Sequence, residues 1–413
     1  MNWAPITFTV DTPMFLSGAD GRAEFRLPSL RGAARFWFRA LTAPVFGNDF
    51  SRVADAEAEV FGAASAEATD NRGHRGPSRI AVRPRELPEP VTEPNPGWLR
   101  LRGDEPRKGI AYLLGPGLYT PPRAVTRASH FAPGSTGGFD IRADSDYAGE
   151  VFAVCLWALS TFGGLGARTR RGFGGIRFDG LDQLSDHLTR GAALDPTNPA
   201  IRRLQTIVAG HHGLQPPDTG GNGDRSRGYP DAPSSSRWVT RTSVRNNTWV
   251  QVLNEVGEEL RDFRTVDRTA APYNRQDLPP YRRRATREYL EIIAPHDGTP
   301  PPDPSPFPVA AFGLPIVFAH GHVVDLLDEN DEPLRRASPL WLRATPDHGG
   351  HWNLLCHVFE SAIAPAGGKL ALKGRDTPHL ELDNATAYTT IRHFVDRVAP
   401  TPPATAGANH GDQ

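Results

Sequence analysis

Apolar and polar positions follow two different periods along this chain, and together they predict a mixed α+β protein. In the first half, residues 6–10 alternate as a strand does, and residues 30–41 repeat their apolar positions as an amphipathic helix does, with Ser29 as its cap. The other elements predicted for this half lie at residues 78–83, 139–143, 147–161 and 175–178. The resulting order of strand, helix, two strands, helix and strand is typical of a ferredoxin-like or RRM-like domain.

The second half of the chain shows a similar mixture of periods. Its predicted strands lie at residues 238–244, 309–318, 337–343 and 352–359. Its predicted helices lie at residues 281–293 and 385–398. We therefore expect an α+β fold made of two ferredoxin-like or RRM-like domains with long insertions.

Composition shifts set the expected domain boundaries. The first domain is predicted over residues 1–180, with a polar, proline-rich insertion at about 71–137. The second is predicted over residues 181–398, with a linker rich in Gly, Pro and Ser at 213–236. A disordered tail is expected at 399–413.

A loop at residues 163–175 holds six glycines and three arginines directly after an apolar helix. Glycines let an anion approach main-chain amides, and guanidiniums add charge and bidentate hydrogen bonds. The loop lacks the endings of both the P-loop and the dinucleotide fingerprint, which leaves RNA or DNA as ligand, or a plain hairpin with solvated arginines. The candidate RNA-binding residues in it are Gly164, Gly166, Arg168, Arg170, Arg171, Gly172 and Gly174.

The first predicted helix carries a stripe of arginines. Arg31, Arg35 and Arg39 recur every four positions, on the face away from Trp37 and Leu41. We take the stripe as a second candidate RNA-binding surface, and an ordinary solvated face is the alternative. A further arginine run at residues 282–287 has two interpretations, pairing with acidic neighbours or contact with a phosphate partner, and the first is preferred.

Charge and cysteine content narrow the class of protein. The formal net charge of 413 residues is -1, so binding of a polyanion must come from local clusters. Cys155 and Cys356 lie in apolar surroundings without a paired cysteine nearby, as expected in a reducing compartment. The sequence shows neither a signal peptide nor an apolar run long enough to span a bilayer, and we expect a soluble, cytoplasmic protein.

Candidate catalytic and metal-binding residues are few. Asp20 is a loop acid that could work with His74 or His130 in cleaving RNA, although a turn residue is the default interpretation. The histidines and cysteine between positions 348 and 357 fit no common zinc spacing. We therefore expect no catalytic site, no metal and no cofactor.

Four ordered motifs resemble a known family. Residues 10–18 (VDTPMFLSG) and 27–41 (LPSLRGAARFWFRAL) are similar to the amino-terminal signature of the RAMP superfamily, and within it to the first subunit of the Cmr complex of type III-B CRISPR-Cas systems. The glycine-rich loop at 163–175 resembles the second hallmark of the family. Residues 312–316 and 335–340 are similar to its carboxyl-terminal segments.

The resemblance implies two RRM-like domains in a non-catalytic, RNA-binding subunit of the effector complex in antiviral defence. Its implied partners are the 3′ part of the guide RNA, the complementary target single-stranded RNA and other Cmr subunits, with no membrane. Sequence specificity would come from pairing between guide and target, as in other RNA-guided effectors. A metal-independent endoribonuclease of the same fold and a pure assembly subunit remain as alternatives.

Overall fold

The structure is a computed structural model of the chain. It describes residues 2–63, 77–100, 106–115, 118–119, 129–185, 188, 199–217, 241–246, 248–265, 285–295, 299–318, 321–347, 349–373 and 379–399. Among the helices in these ranges, none has both the length and the apolar character that crossing a bilayer demands. The predicted linker at 213–236 lies mostly outside the described residues, and the predicted tail lies outside them except for residue 399.

The first half of the chain forms a four-stranded antiparallel sheet with helices. The elements of this half are, in chain order, β1 (Ala4–Val10), α1 (Leu27–Thr42), α2 (Phe50–Phe61), β2 (Ile80–Glu86), β3 (Val91–Thr92), α3 (Lys108–Leu114), β4 (Ser129–His130), β5 (Thr136–Ala143), α4 (Asp146–Phe162) and β6 (Ile176–Asp179). The sheet order β2-β5-β1-β6, with α1 after β1 and α4 after β5, is the ferredoxin-like order.

Burial explains why these segments form the predicted elements. Ile6, Phe8 and Val10 all face the core from alternate positions of β1. Helix α4 is buried on nearly every side, which agrees with its continuous apolar sequence, and the Ser145 side chain caps it by accepting from the Ala148 amide at 3.3 Å.

The second half adds a smaller sheet of the same topology and an inserted sheet. Its elements are α5 (Pro199–His211), β7 (Arg241–Asn246), α6 (Trp249–Phe263), β8 (Ser305–Pro306), β9 (Ile316–Val317), β10 (Val323–Leu327), β11 (Pro333–Leu334), β12 (Leu340–Pro346), β13 (Trp352–Val358), β14 (Lys369–Leu372), β15 (Leu380–Glu381) and α7 (Asn384–Val398). The order β12-β13-β7, with α6 after β7 and α7 after β13, matches three strands of a second ferredoxin-like sheet. Strands β8–β11, β14 and β15 form a separate sheet between these elements. The α+β class is confirmed.

The two halves share core residues. Trp341 from β12 and Phe359 pack into the hydrophobic core of the first sheet, although both come from the second half of the chain. Helix α5 also packs on this core, against α1 and α4, through Ile201 and Leu204. The division of the chain at residue 180 stays a prediction. Helix α5 follows that position in the sequence but packs on the core of the first sheet.

Two predicted elements differ from the structure. Helix α1 begins at Leu27, and Ser29 lies inside its first turn without capping it, because Pro28 already fits that turn. The strand predicted at 309–318 is wrong: Pro308–Phe312 is a 3-10 helix, and only Ile316–Val317 is extended. An apolar run of this length does not by itself separate a strand from a buried helical turn.

Several helices were not predicted. They are α2, α3, α5 and α6. Helix α6 shows a clear period, since Val252, Leu253, Val256 and Leu260 are all fully buried, and the Thr248 side chain caps it. Of the helix predicted at 281–293, the described portion is helical at residues 287–293, where it ends in a wide turn at Tyr289–Ile293.

Candidate nucleic-acid interface

The glycine-rich loop is held against the segment that follows β1. Inside the loop, the Leu165 amide donates to the Gly174 carbonyl oxygen at 2.8 Å. Two further amides anchor it to the first motif: Gly174 donates to the Pro13 carbonyl at 2.9 Å, and Ala167 donates to the Phe15 carbonyl at 2.9 Å. The loop is therefore a fixed part of the fold, and these amides are used within the protein.

Glycine is required in the loop by close packing. Gly174 has φ 71°, and a Cβ there would lie 2.1 Å from the Leu165 carbonyl oxygen. At Gly166, with φ 99°, a Cβ would lie 2.6 Å from the Phe15 carbonyl oxygen. RNA contact stays a prediction for four of the six loop glycines, namely Gly164, Gly166, Gly172 and Gly174.

The side chain of Arg170 extends from the loop and contacts the second half of the chain. Its Nη1 donates to the Ser338 carbonyl at 2.6 Å, and its guanidinium carbon lies 4.7 Å from the centre of the Trp341 ring. The Leu342 amide in turn donates to the Arg170 carbonyl at 3.1 Å. Burial, reinforced by the charge of Arg336, lowers the pKa of Arg170 to about 10.

Arg171 and Arg168 form a second group of cations with Arg264. Burial lowers the pKa of Arg171 to about 10, and the charges of Arg264 and Arg168 lower it while Tyr112 raises it. Burial also lowers the pKa of Arg168, which has a left-handed backbone at φ 62°. Arg264 Nη1 donates to the Tyr112 hydroxyl at 3.0 Å.

Among the residues that the structure describes, these cations have no acidic partner. Within the described ranges, no ion pair joins a carboxylate to any of five guanidiniums, those of Arg168, Arg170, Arg171, Arg264 and Arg336. Moreover, Nε of Arg264 and Nε of Arg336 are buried without a hydrogen-bond acceptor in the described part of the chain. Burying uncompensated charge costs free energy. An anion at this loop would lower that cost, which makes it the best candidate interface for a phosphate backbone.

The motif segments converge on this cluster. Residues 312–316 and 335–340 pair through Leu314 and Arg336, whose backbones exchange hydrogen bonds of 2.8 and 3.1 Å. The Arg170 side chain contacts the second of these segments, and residues 10–18 hold the loop from the other side. Segments far apart in the sequence therefore build one site.

The arginine stripe on α1 binds groups of the protein itself. Arg31 Nη2 donates to the Ile80 carbonyl at 3.0 Å. Arg35 Nη1 and Arg39 Nη1 both reach the Glu57 carboxylate of α2, at 3.0 and 2.5 Å. Helix α2, which was not predicted, covers this face of α1. RNA contact by Arg31, Arg35 and Arg39 stays a prediction, but their contacts here stabilise the packing of α1.

Asp20 and His130, the suspected acid and base that the structure describes, lie in different surroundings. Asp20 is exposed and accepts a hydrogen bond from the Arg22 amide at 3.0 Å, as a turn residue does. His130 is 1% exposed and packs against the rings of Phe15 and Trp98. His74 lies outside the described residues.

Sequence reasoning missed one cluster of possible metal ligands. Potential ligand atoms of Glu59, His211 and His212 lie within 4.8 Å of one another. However, Glu59 Oε1 already accepts from His211 Nε2 at 2.7 Å and pairs with Arg79 at 3.0 Å. The adjacent histidines are visible in the sequence, whereas Glu59 lies 152 positions away and joins them only through the fold.

The other functional candidates missed by the sequence are Arg264 and Arg336. Arg336 stands inside a motif that supported the resemblance, but nothing local marks it as a neighbour of Arg170. Arg264 ends α6, whose existence was not predicted. In the second arginine run, Arg287 pairs with Glu291 at 2.7 Å, and residues 282–284 lie outside the described ranges.

The first sheet and the arginine-bearing loop both lie in the part of the chain that is similar to the RAMP superfamily. Residues 7–177 match the family model of the RAMP superfamily. More particularly, the chain is 24% identical over 355 residues to CRISPR system Cmr subunit Cmr1-1 of Pyrococcus furiosus, covering 83% of this chain and 82% of that protein. The resemblance read from the motifs, to this superfamily and to the first Cmr subunit, is therefore confirmed.

Two further comparisons agree with this result. CRISPR system Cmr subunit Cmr1-2 of the same organism is 27% identical over 186 residues, which cover 42% of this chain and 93% of that protein. The crystal structure of Cmr1 from Pyrococcus furiosus in its apo form superposes with a TM-score of 0.52 at 17% identity. That superposition covers 96% of this chain and 97% of the other, and it shows a common fold.

Proposed function

We propose that this protein is a non-catalytic RNA-binding subunit of a type III-B Cmr effector complex. In this role it engages the 3′ part of the guide RNA and the complementary target RNA, together with other Cmr subunits, in the cytoplasm. One observation carries the proposal: the cluster of guanidiniums around the glycine-rich loop has no carboxylate partner among the described residues. The names of the two Pyrococcus relatives support the choice of complex.

The chemistry of the cluster fits a phosphate backbone. Guanidiniums bind phosphate oxygens through paired hydrogen bonds and stay charged at neutral pH. Phosphate contacts position a protein on nucleic acid without reading its sequence. The proposed subunit therefore holds RNA of any sequence, and base pairing with the guide selects the target.

The non-catalytic part of the proposal rests on the surroundings of the suspected residues. A general acid and base must both reach the scissile bond from a common site. Asp20 lies in an exposed turn, and His130 is enclosed by aromatic rings. Such surroundings suit a turn residue and a core residue.

The test is incubation of the purified full chain with end-labelled single-stranded RNA, with and without divalent metal. Native gels report retention, and denaturing gels report cleavage. We expect retention of two RNAs of unrelated sequence and no cleavage. Metal-independent cleavage that Asp20→Ala abolishes would instead establish the endoribonuclease alternative, and neither retention nor cleavage would favour a pure assembly subunit.

A further inference from the structure

A cavity of about 400 Å³ opens beside the glycine-rich loop, where the two halves of the chain meet. Phe36 of α1 and Arg170 of the loop contribute from the first half, and Trp341 and the segments around Arg336 and Phe359 contribute from the second. Pockets of about 300–1,000 Å³ are typical of small-molecule sites in proteins. The volume therefore suits one small organic group.

One wall of the cavity is aromatic. The Phe36 ring stacks on the Trp341 ring, with centroids 5.6 Å apart and planes inclined by 29°. The Phe359 ring lies 5.5 Å from Trp341 on the same wall. Trp341 and Phe359 are buried, whereas Phe36 remains half-buried and presents its ring to the cavity. An aromatic ring that lines a cavity can stack on any nucleobase, because every base has a π face.

Three arginines line the same cavity, namely Arg170, Arg335 and Arg336. Arg336 Nη2 donates to the hydroxyl oxygens of Ser361 at 3.1 Å and Tyr388 at 3.4 Å, while its Nε is buried without an acceptor in the described part of the chain. Within the described chain, no acidic side chain lines this cavity. The polar side of the cavity is therefore positively charged and complementary to an anion.

We propose that the cavity takes a single unpaired ribonucleotide, with its base on the Phe36 ring and its phosphate between Arg170 and Arg336. A bare phosphate would leave the aromatic wall unused, and a neutral base would leave the guanidiniums without a counter-charge. A nucleoside monophosphate satisfies both. This inference rests on the proposed function when the nucleotide belongs to a bound RNA strand, and a free nucleotide has the same chemistry.

The test uses the full chain and a fluorescent base. 2-Aminopurine is placed at successive positions of a short single-stranded RNA, and the free 5′-monophosphate of 2-aminopurine riboside is titrated separately. Stacking of the base quenches its fluorescence. We expect quenching at one position of the bound strand. For the free compounds, we expect the monophosphate to bind more tightly than the unphosphorylated riboside and than inorganic phosphate.

Phe36→Leu removes the ring while keeping an apolar side chain. Base stacking on an aromatic side chain contributes about 1–3 kcal/mol, so we expect binding of the monophosphate to weaken by about fivefold to somewhat over a hundredfold. Total RNA affinity should fall much less, because the loop arginines remain. Phe50→Leu is the matched control, since Phe50 is an exposed ring at the start of α2, away from the cavity.

The outcomes separate this inference from the proposed function. If the chain retains RNA but no position is quenched, or if inorganic phosphate binds as tightly as the monophosphate, the nucleotide pocket is wrong and the RNA-binding proposal stands. Equal binding of the monophosphate by Phe36→Leu and the parent would also overturn the pocket. If RNA is not retained but the free monophosphate still binds, the cavity is a nucleotide site and the proposed function fails.

Discussion

The buried ion pair between Asp11 and Arg343 joins the two halves of the chain, and breaking it should be costly. Arg343 Nη2 lies 3.1 Å from Asp11 Oδ2, and the side chains are 2% and 1% exposed. The same guanidinium donates to the carbonyls of Gly163 at 2.9 Å and Ile176 at 3.0 Å. Burial raises the pKa of Asp11, while the charges of Arg343 and Arg177 pull it back down.

The perturbation is Arg343→Met, which keeps the apolar volume and removes the charge. The Asp11 carboxylate then keeps only Arg177 among its charged partners, and two buried carbonyls lose this donor. Removing one member of a buried ion pair costs about 3–5 kcal/mol. We expect the free energy of unfolding to fall by that amount.

Urea unfolding of the full chain, followed by circular dichroism and tryptophan fluorescence, measures the loss. Coincidence of the two signals checks that a single transition is being compared. Arg177→Met is the matched control: it removes another guanidinium from Asp11, but that side chain is 46% exposed, and we expect a loss of about 1 kcal/mol or less. If both variants lose the same free energy of unfolding, the burial of the Asp11–Arg343 pair does not explain its contribution to stability.

Three further predictions concern stability. Gly174→Ala should destabilise the protein by more than about 1 kcal/mol, because its Cβ would lie 2.1 Å from the Leu165 carbonyl; Gly21→Ala, at φ 81° with no atom nearby, isolates the backbone contribution. Burial lowers the pKa of His357 to about 3, while the unfolded imidazole takes up its proton below about pH 6.5. Stability should therefore fall by about 2 kcal/mol between pH 7 and pH 5 on account of this group, and a drop that is unchanged in His357→Gln would contradict this assignment. Glu57→Gln should lower the free energy of unfolding by about 2 kcal/mol through its two arginine contacts and leave RNA affinity within twofold. A large gain of affinity would mean that the freed arginines of the α1 stripe contact RNA.

Alternation and continuous apolar runs were enough to predict the first ferredoxin-like sheet. Strand β1 and helix α4 have sequences that admit one interpretation, because every core-facing position is apolar. Helix α6 was equally readable, with Thr248 as its cap and an apolar position at each turn. Because α6 was not predicted, Arg264 was not recognised as a neighbour of Arg168 and Arg171.

The rest of the site depends on contacts that local pattern does not encode. The loop arginines were visible in the sequence, but the nearness of Arg336 to Arg170 appears only in the fold. The same holds for the absence of carboxylate partners among the described residues. For the arginine stripe on α1, the sequence suggested unpaired positive charge, whereas the fold supplies an acidic partner. Three arginines spaced every four residues resemble an open basic face, yet the Glu57 carboxylate, 18 positions beyond Arg39, neutralises part of it.

The most direct test of the account is the salt dependence of RNA affinity. Arg168, Arg170 and Arg171 are replaced together by Gln, and binding of single-stranded RNA is measured by filter retention across a salt series. Each lost phosphate contact should reduce the slope of log affinity against log salt by about 0.7, so three contacts predict a slope lower by about 2. A control variant with the carboxylate-paired, partly exposed Arg83, Arg85 and Arg203 changed to Gln should keep the parent slope. An unchanged slope and affinity in the folded loop variant would contradict the proposal that this loop binds RNA.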